Sequence, residues 1–337
     1  FIVVAMYGGS VGNIAISKIE ACVNQACCCI RTDNQNDLKF MYYWIYMCKS
    51  DFLRVSEGGG QPNISQAKIR NQYYMQPPLA EQRRIADFLD TKCAEIDALT
   101  ADIQTQIDTL EQYKRSVITE AVTKGLNPDA EMKDSGIEWI GEIPATWNII
   151  RGKYLLKYLQ KPVKEDDGVI TCFRDGEVTL RSNRREDGFT MSDKEIGYQG
   201  IDAGDLVVHG MDGFAGAIGI SDSRGKASPV LNVMDTKQNK RYIMYYLRSM
   251  AYSDVFVALA TGIRVRSCDL RWNKLADLPY PVPSIEEQTA IVEYIDTTLE
   301  KTDVVISKKK AQLETLDEYK KSLIYEYVTG KKEVPSI

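Results

Sequence analysis

The segment PLAEQRRIADFLDTKCAEID at 78–97 returns as PSIEEQTAIVEYIDTTLEKTD at 283–303, and LEQYKRSVITEAVTKG at 110–125 returns as LDEYKKSLIYEYVTGKK at 316–332. Gln82 falls on Gln288, Ile85 on Ile291, Asp90 on Asp296, Tyr113 on Tyr319, Lys114 on Lys320 and Ser116 on Ser322, all at one offset of 206. A repeat this long fixes the architecture before any motif is read. It extends upstream: VVAMYGGSVGNIAI at 3–16 aligns with VVHGMDGFAGAIGI at 207–220, and QNDLKFMYYWIYMCKSD at 35–51 with QNKRYIMYYLRSMAYSD at 238–254. The order is therefore globular, helix, globular, helix. The stretch 133–204 has no counterpart ahead of the first globular unit. The opening FIVVAMYGGS lacks an initiator Met and reads as mid-strand, so the sequence is expected to be a fragment or to have lost its beginning.

Residues 79–123 read as one long helix. Leu89, Ile96, Leu99, Ile103, Ile107, Leu110, Tyr113 and Val117 recur at spacings of three, four and seven. Pro77 and Pro78 precede it, and Gly125 and Pro128 end it. The second copy spans about 285–329. At about 1.5 Å per residue each is on the order of 65 Å long. A long helix with a narrow apolar seam is marginal alone. The two seams are expected to bury each other as an antiparallel pair, through Leu99, Ile103, Leu110, Tyr113 and Val117 on one side and Ile306, Leu313, Leu316, Tyr319 and Leu323 on the other. In the second globular unit GVITCF, DLVVHG, GAIGIS and SPVLNVMD read as short strands and QNKRYIMYYLRSM as an amphipathic helix, which makes the class α+β.

The net charge of −5 argues against a uniformly basic coat, but its distribution is uneven. Residues 151–283 hold 20 Lys/Arg against 17 Asp/Glu, whereas 79–127 hold 6 against 9 and 284–337 hold 8 against 11. A locally basic unit between acidic helices permits a phosphate-facing surface. No apolar run approaches the roughly 20 residues of a membrane span, and no membrane partner is expected. Of eight cysteines, three are consecutive in VNQACCCIR, without a CxxC pair or a usable His. They suit a strand better than a zinc site, and such usage suggests a reducing cytoplasm.

The sequence is poor in catalytic constellations. Its one histidine, His209, aligns with Ala5 and reads as a satisfied strand residue. HExxH and GxxxxGK[ST] patterns are missing. GGSVG at 8–12 and GFAGAIG at 213–219 are followed by strand-like residues, so they read as hairpin turns and not as phosphate loops. PDAEMK at 128–133 has the look of a nuclease carboxylate–lysine motif but reads as polar linker with no strand to array it. The basic loops carry more. CFRDGEVTLRSNRREDGF at 172–189 offers Arg174, Arg181, Asn183, Arg184 and Arg185; SDSRGKASP offers Arg224 and Lys226; TGIRVRSCDLRWNK at 261–274 offers Arg264, Arg266, Arg271 and Lys274. Arginine can fork guanine and Asn can bond adenine, each in bidentate fashion. Any one of these read alone is a solvated surface cation. Together on one unit they favour DNA.

Two features, each present twice, carry a family resemblance: the Pro-x-x-(x)-Glu-Gln helix start and the Tyr-Lys-(Lys/Arg)-Ser helix ending, with MKDSGIEWIGEIPATW at 132–147 opening the second unit. The chain resembles the specificity subunit of type I restriction–modification systems along essentially its whole length. The resemblance implies two target recognition domains, the first incomplete (1–77) and the second at 128–283. It also implies spacer helices at 78–127 and 284–332 forming an antiparallel coiled coil. Each domain would read half of a bipartite site in double-stranded DNA. The coil would dock methyltransferase (modification) subunits and restriction subunits. The chain itself would be non-catalytic and hold no cofactor or metal, with S-adenosylmethionine, ATP and Mg expected on those partners. A coiled-coil scaffold or inactive remnant whose globular units bind protein is the alternative, separable by salt dependence.

Overall fold

The computed structural model describes residues 1–54, 56, 62–184, 196–259 and 270–335. The α+β chain divides into two compact units, one of residues 1–108 and 306–337, the other of residues 109–305. The first unit contains β1 (Ile2–Ala5), β2 (Ile14–Ile16), β3 (Cys27–Ile30), α1 (Leu38–Met47), α2 (Lys49–Arg54) and α3 (Gln66–Arg70). The long helix α4 (Leu79–Lys124) follows and contributes its first part here and its last part to the second unit. The second unit continues with β4 (Met132–Asp134), β5 (Glu142–Pro144), β6 (Asn148–Arg151), α5 (Gly152–Leu155), β7 (Leu156–Tyr158), β8 (Ile170–Cys172), β9 (Val178–Leu180) and β10 (Gln199–Ile201). Then come β11 (Leu206–His209), β12 (Ile218–Ile220), β13 (Gly225–Ala227), β14 (Leu231–Thr236), α6 (Lys240–Tyr252), α7 (Val255–Ala258), α8 (Trp272–Asp277) and β15 (Pro279–Val282). The second long helix, α9 (Ile285–Val328), contributes residues 285–305 to the second unit and 306–328 to the first. No helix among the described residues is long and apolar enough to cross a membrane.

The repeat is visible bond by bond inside each unit. The first sheet has the order β2-β1-β3, with Ile2 opposite both Ile16 and Ile30. The second has the order β12-β11-β14-β7, with Leu206 opposite both Ile220 and Met234. Every pair keeps an offset of 204. The glycine segments are hairpin connections, with Gly12 and Gly216, also 204 apart, both at positive φ (76° and 94°). That left-handed backbone suits glycine because it has no Cβ. The helices α1 and α6 depart from the alignment expected from sequence. Identical MYY triplets suggest an offset of 203, but the helix caps are Asp37 and Asn239, an offset of 202. Likewise Tyr43 bonds Asp90 at 2.7 Å as Tyr245 bonds Asp296 at 2.5 Å. Helical contacts follow the cap and the buried face, not letter identity.

Gln82 and Gln288 are fully buried. The Gln82 side-chain oxygen accepts from the Asp37 backbone N–H at 2.8 Å, and its amide donates to the carbonyls of Pro77 (2.8 Å) and Gln35 (3.0 Å). Gln288 repeats this, accepting from Asn239 N–H at 2.9 Å and donating to Pro283 O (3.0 Å) and Gln238 Oε1 (2.7 Å). Each long helix is thereby stapled at its start to the cap of the globular helix beside it.

The helix pair is antiparallel in both units. In the first, Lys320 bonds Asp97 at 2.6 Å, Lys309 bonds Gln106, and the rings of Phe88 and Tyr327 lie 4.5 Å apart. In the second, Lys114 bonds Asp303 at 2.6 Å. The two ion pairs are the same pair in the repeat, since 97 maps to 303 and 114 to 320. Ile103, Val117, Ile306 and Leu323 are buried in the seam, and Leu110, Leu313 and Leu316 are half-buried. Leu99, Tyr113 and Tyr319 are not seam residues: they are 47%, 48% and 54% exposed. The strict three–four spacing from Cys93 through Ile96, Ile103 and Ile107 puts Thr100 and Lys114 at the inward positions instead. A polar lysine in the seam is held by its carboxylate partner. Partial burial disfavours the ammonium of Lys320, but the hydrogen bond and charge of Asp97 outweigh it and hold its pKa above the ordinary value.

Replacing Gln288 with Leu strands the Asn239 N–H inside the second unit and is expected to cost about 1–3 kcal/mol. Gln82→Leu should do the same in the first unit. Urea unfolding of each variant measures it, and stability within about 0.5 kcal/mol of the parent would show that the staple is idle.

Candidate nucleic-acid interface

The basic residues picked out in the sequence do not gather in one place. The β8–β9 hairpin presses its tip onto the β11–β12 connection. That contact needs bare backbone: a Cβ on Gly219 would stand 2.0 Å from Gly176 O, and one on Gly216 would stand 2.7 Å from Arg174 O. Arg248 of α6 then donates to Asp175 O at 2.7 Å. The tip so fixed displays Arg174, bonded to Asp212 at 2.9 Å, and Arg184, which bonds Asp175 at 2.7 Å and Glu177 at 3.1 Å over the ring of Phe173. Asn183 bonds Thr179 at 2.8 Å and Arg181 bonds Thr171 at 3.3 Å, so both are turned toward the hairpin.

Arg115 and Arg248 belong with this cluster although sequence reading passed over them. Both guanidiniums lie over Tyr252, at 5.5 and 5.8 Å from the ring centre. They line a cleft of about 760 Å³ with Arg174, Lys114, Asp175 and Asp303. The available signal was the spacing of Arg248 and Tyr252, four apart on a helix. Exposed cations paired to carboxylates at a surface are replaceable contacts, because such ion pairs are worth little in water. Phosphate oxygens could take them over.

His209 is a turn residue. Its Nδ1 accepts the N–H of Met211 (3.2 Å) and Asp212 (2.9 Å), which places the proton on Nε2. Burial, opposed by Asp212 and reinforced by Arg174, holds its pKa below the ordinary value.

Arg224 is internal to the fold. It donates to Asp167 at 2.7 and 2.9 Å, to Asp202 at 2.7 Å and to Pro162 O at 2.9 Å. Lys161 completes the network by bonding Asp202 and Asp205. Four of the Arg224 donors are thus engaged within the fold beside the β10–β13 pair. Lys226 lies half-buried on β13, while Arg271 occupies the position just before α8 and Lys274 sits within that helix, half-buried. Arg185, Arg264 and Arg266 lie outside the described residues. The polar segment at 128–133 runs into a strand, β4, contrary to the linker expected. Among the described residues no group of three or more His, Cys, Asp or Glu is placed to hold a metal. Cys28 is buried in β3, where burial raises its pKa, and Cys29 points outward, as strand alternation requires.

The Arg224 bonds, working against burial, hold the Asp167 carboxyl at about 2. A depressed folded pKa stabilises above the unfolded value near 3.9 and loses that contribution as pH falls toward the folded one. Protection factors for hydrogen exchange at β10 and β13, taken relative to the intrinsic rate at each pH, should therefore fall between about pH 4 and pH 2. Arg224→Ala, which removes the charged bonds to Asp167 but leaves the Lys164 N–H on its carboxylate, should cost about 1–3 kcal/mol at pH 7. Acid resistance unchanged in that variant would remove the network from the account.

Comparison with known proteins bears on this arrangement. Residues 1–109 match the family model described as "Type I restriction modification DNA specificity domain". The type I restriction enzyme MjaVIII specificity subunit of Methanocaldococcus jannaschii is 24% identical over 315 residues, covering 88% of this chain and 71% of that one. The EcoBI specificity subunit of Escherichia coli is 24% identical over 360 residues, covering 98% and 73%. A chain from a solved structure concerned with complex assembly and conformational transition of the type I R-M system superposes with a TM-score of 0.69 at 13% identity, covering 97% of this chain and 81% of that one, which is a likeness of fold.

Proposed function

We infer that this chain, a relative of the type I restriction–modification specificity subunits, is the DNA-recognition subunit of such a complex. It would read a bipartite site through two recognition domains, residues 1–77 and 128–283, with residues 78–127 and 284–332 as the helical spacer. The observation that carries this reading is the hairpin tip of the second unit, where Arg174 and Arg184 stand exposed in surface ion pairs beside the Arg115–Tyr252–Arg248 stack. Arginines held by replaceable carboxylates can pass to phosphates or base edges when a duplex arrives.

Duplication supports partner docking on the helices. Leu99 and Tyr319 in the first unit are exposed, and their repeat equivalents in the second, Val305 and Tyr113, are exposed as well. Each stands one residue before an inward seam position. A helix pair that repeats one apolar pair of residues suits two copies of one partner. The methyltransferase and restriction subunits are that expected partnership, bringing S-adenosylmethionine, ATP and Mg with them. The chain's own part is binding, with the cytoplasm as its setting.

Duplex binding by fluorescence anisotropy should weaken steeply with salt, with a slope near −0.9 per phosphate neutralised. Arg174→Ala or Arg184→Ala should lower the slope by about one unit if the contact is to phosphate. If it is to a base, the loss should be about 1–3 kcal/mol at one site position. Salt-independent binding to a protein with no measurable duplex affinity would favour the scaffold alternative. Replacing Tyr113 and Tyr319 together with Ala should reduce capture of the modification subunit while circular dichroism shows unchanged helicity; full capture would dismiss the patch.

A further inference from the structure

The end of α4 does more in the second unit than keep a distance. Ile118 of α4 and Ala251 of α6 are buried in one core, and Arg115, three residues before Ile118, lies beside Tyr252, the residue after Ala251. That ring is itself held. Its hydroxyl accepts from Arg248 Nε at 2.9 Å, and Arg248 also donates to Asp175 O at the hairpin tip. A continuous chain of contacts therefore runs from the β8–β9 hairpin through Arg248 and Tyr252 to a guanidinium on the long helix.

The other cations of this cleft already have partners. Lys114 bonds Asp303 at 2.6 Å and Glu111 at 3.4 Å, Arg174 bonds Asp212 at 2.9 Å, and Arg248 is occupied by Tyr252 and Asp175. Arg115 is exposed and differs from them. Among the described residues no carboxylate and no carbonyl answers it, and its contact is with the Tyr252 ring. Its own helix offers it a partner at the right spacing, since Glu111 stands four residues earlier. At the repeat-equivalent positions Asp317 and Lys321 that spacing does close an ion pair, at 2.5 Å. In the second unit Glu111 turns to Lys114 instead, and Arg115 is left with its N–H donors unclaimed. A guanidinium held by a ring keeps those donors for the fork that matches phosphate.

We propose that Arg115 is a phosphate-contact residue for duplex DNA, so that the long helix is part of the reading surface and not its spacer alone. Arg248 is then a positioning residue, tying that contact to the hairpin tip. The inference rests on the DNA reading above and adds to it a contact from outside the recognition domain. A donor set with no acceptor beside it suits a partner that offers oxygens only, and the duplex backbone does so at every step, whatever the sequence. Of the carboxylates lining the cleft, Asp303 and Glu111 are answered by Lys114 and Asp175 by Arg184. Asp254, at the start of α7 in left-handed backbone (φ 54°), is the one that opposes a phosphate there.

The test titrates the full chain with a random-sequence duplex by fluorescence anisotropy across a salt series, with capture of the modification subunit measured in parallel. Arg115→Ala should lower the slope of log affinity against log salt by about 0.9 and weaken binding about fivefold at about 0.15 M salt. Arg115→Lys, which keeps the charge, should keep the slope. Asp254→Asn, which removes the opposing charge and leaves a side chain tolerated in left-handed backbone, should tighten binding; weaker binding in that variant would count against a phosphate in the cleft. Arg151→Ala removes an equal charge from the β6–β15 pair, outside the cleft, and should leave the slope unchanged. An equal fall there would reduce the effect to net charge and overturn the contact. A slope in Arg115→Ala as steep as the parent's would overturn this assignment and spare the DNA reading, whereas a parent without salt-dependent duplex affinity would overturn both. Loss of subunit capture in Arg115→Ala at an unchanged slope would make the residue a protein contact, and the assignment would fail.

Discussion

Two buried glutamines hold this protein's design together. A long helix with a seam one or two residues wide has little to fix its rotation or its starting point. Gln82 and Gln288 supply both, because each amide engages backbone on two sides, at the proline that begins its own helix and at the cap of the neighbouring one. Glutamine suits the task. It is long enough to reach and carries a donor and an acceptor on one rigid plane. It also stays uncharged where burial would penalise a carboxylate. The Glu-Gln signature readable in the sequence is thus a mechanical joint, and the Tyr–Asp bonds of Tyr43 and Tyr245 brace it about two helical turns further along each long helix.

The architecture was legible because the repeat was. The long helices, the glycine hairpins and the strands around Val3 and Val207 all lie where the sequence places them. What misled were places where letter identity and physical position part company. Identical MYY triplets drew α1 and α6 into a register one residue off, because tyrosine serves equally well at the buried and bonding positions. Leu99 and Tyr113 looked like seam residues by hydrophobicity, yet the inward places belong to Thr100 and Lys114. A lysine can lie inward when a carboxylate waits across the interface, and single-sequence periodicity cannot see that partner.

The basic loops show the same limit more sharply. Counting arginines ranked Arg224 with Arg174, but the first closes a sheet edge between two aspartates and the second stands at the rim of a cleft. Nothing local in SDSRGKASP announces that Asp167 and Asp202 will converge on it, since both are remote in sequence. Conversely Arg248 is an ordinary helical arginine until the hairpin folds back and leaves its carbonyl within reach. Glycines 216 and 219 make that approach possible, and their meaning appears only once two backbones are seen to touch.

The matched ion pairs of the helices carry an implication for inheritance. Asp97 to Lys114 is as long a stretch as Asp303 to Lys320, and each lysine answers the aspartate of the opposite stretch. A lengthening of one helix alone between these marks would throw the opposite contacts out of step. The two arms can change length only in concert, and by whole turns of the seam. Divergence between the halves would then be free in the loops and held in lockstep along the rods.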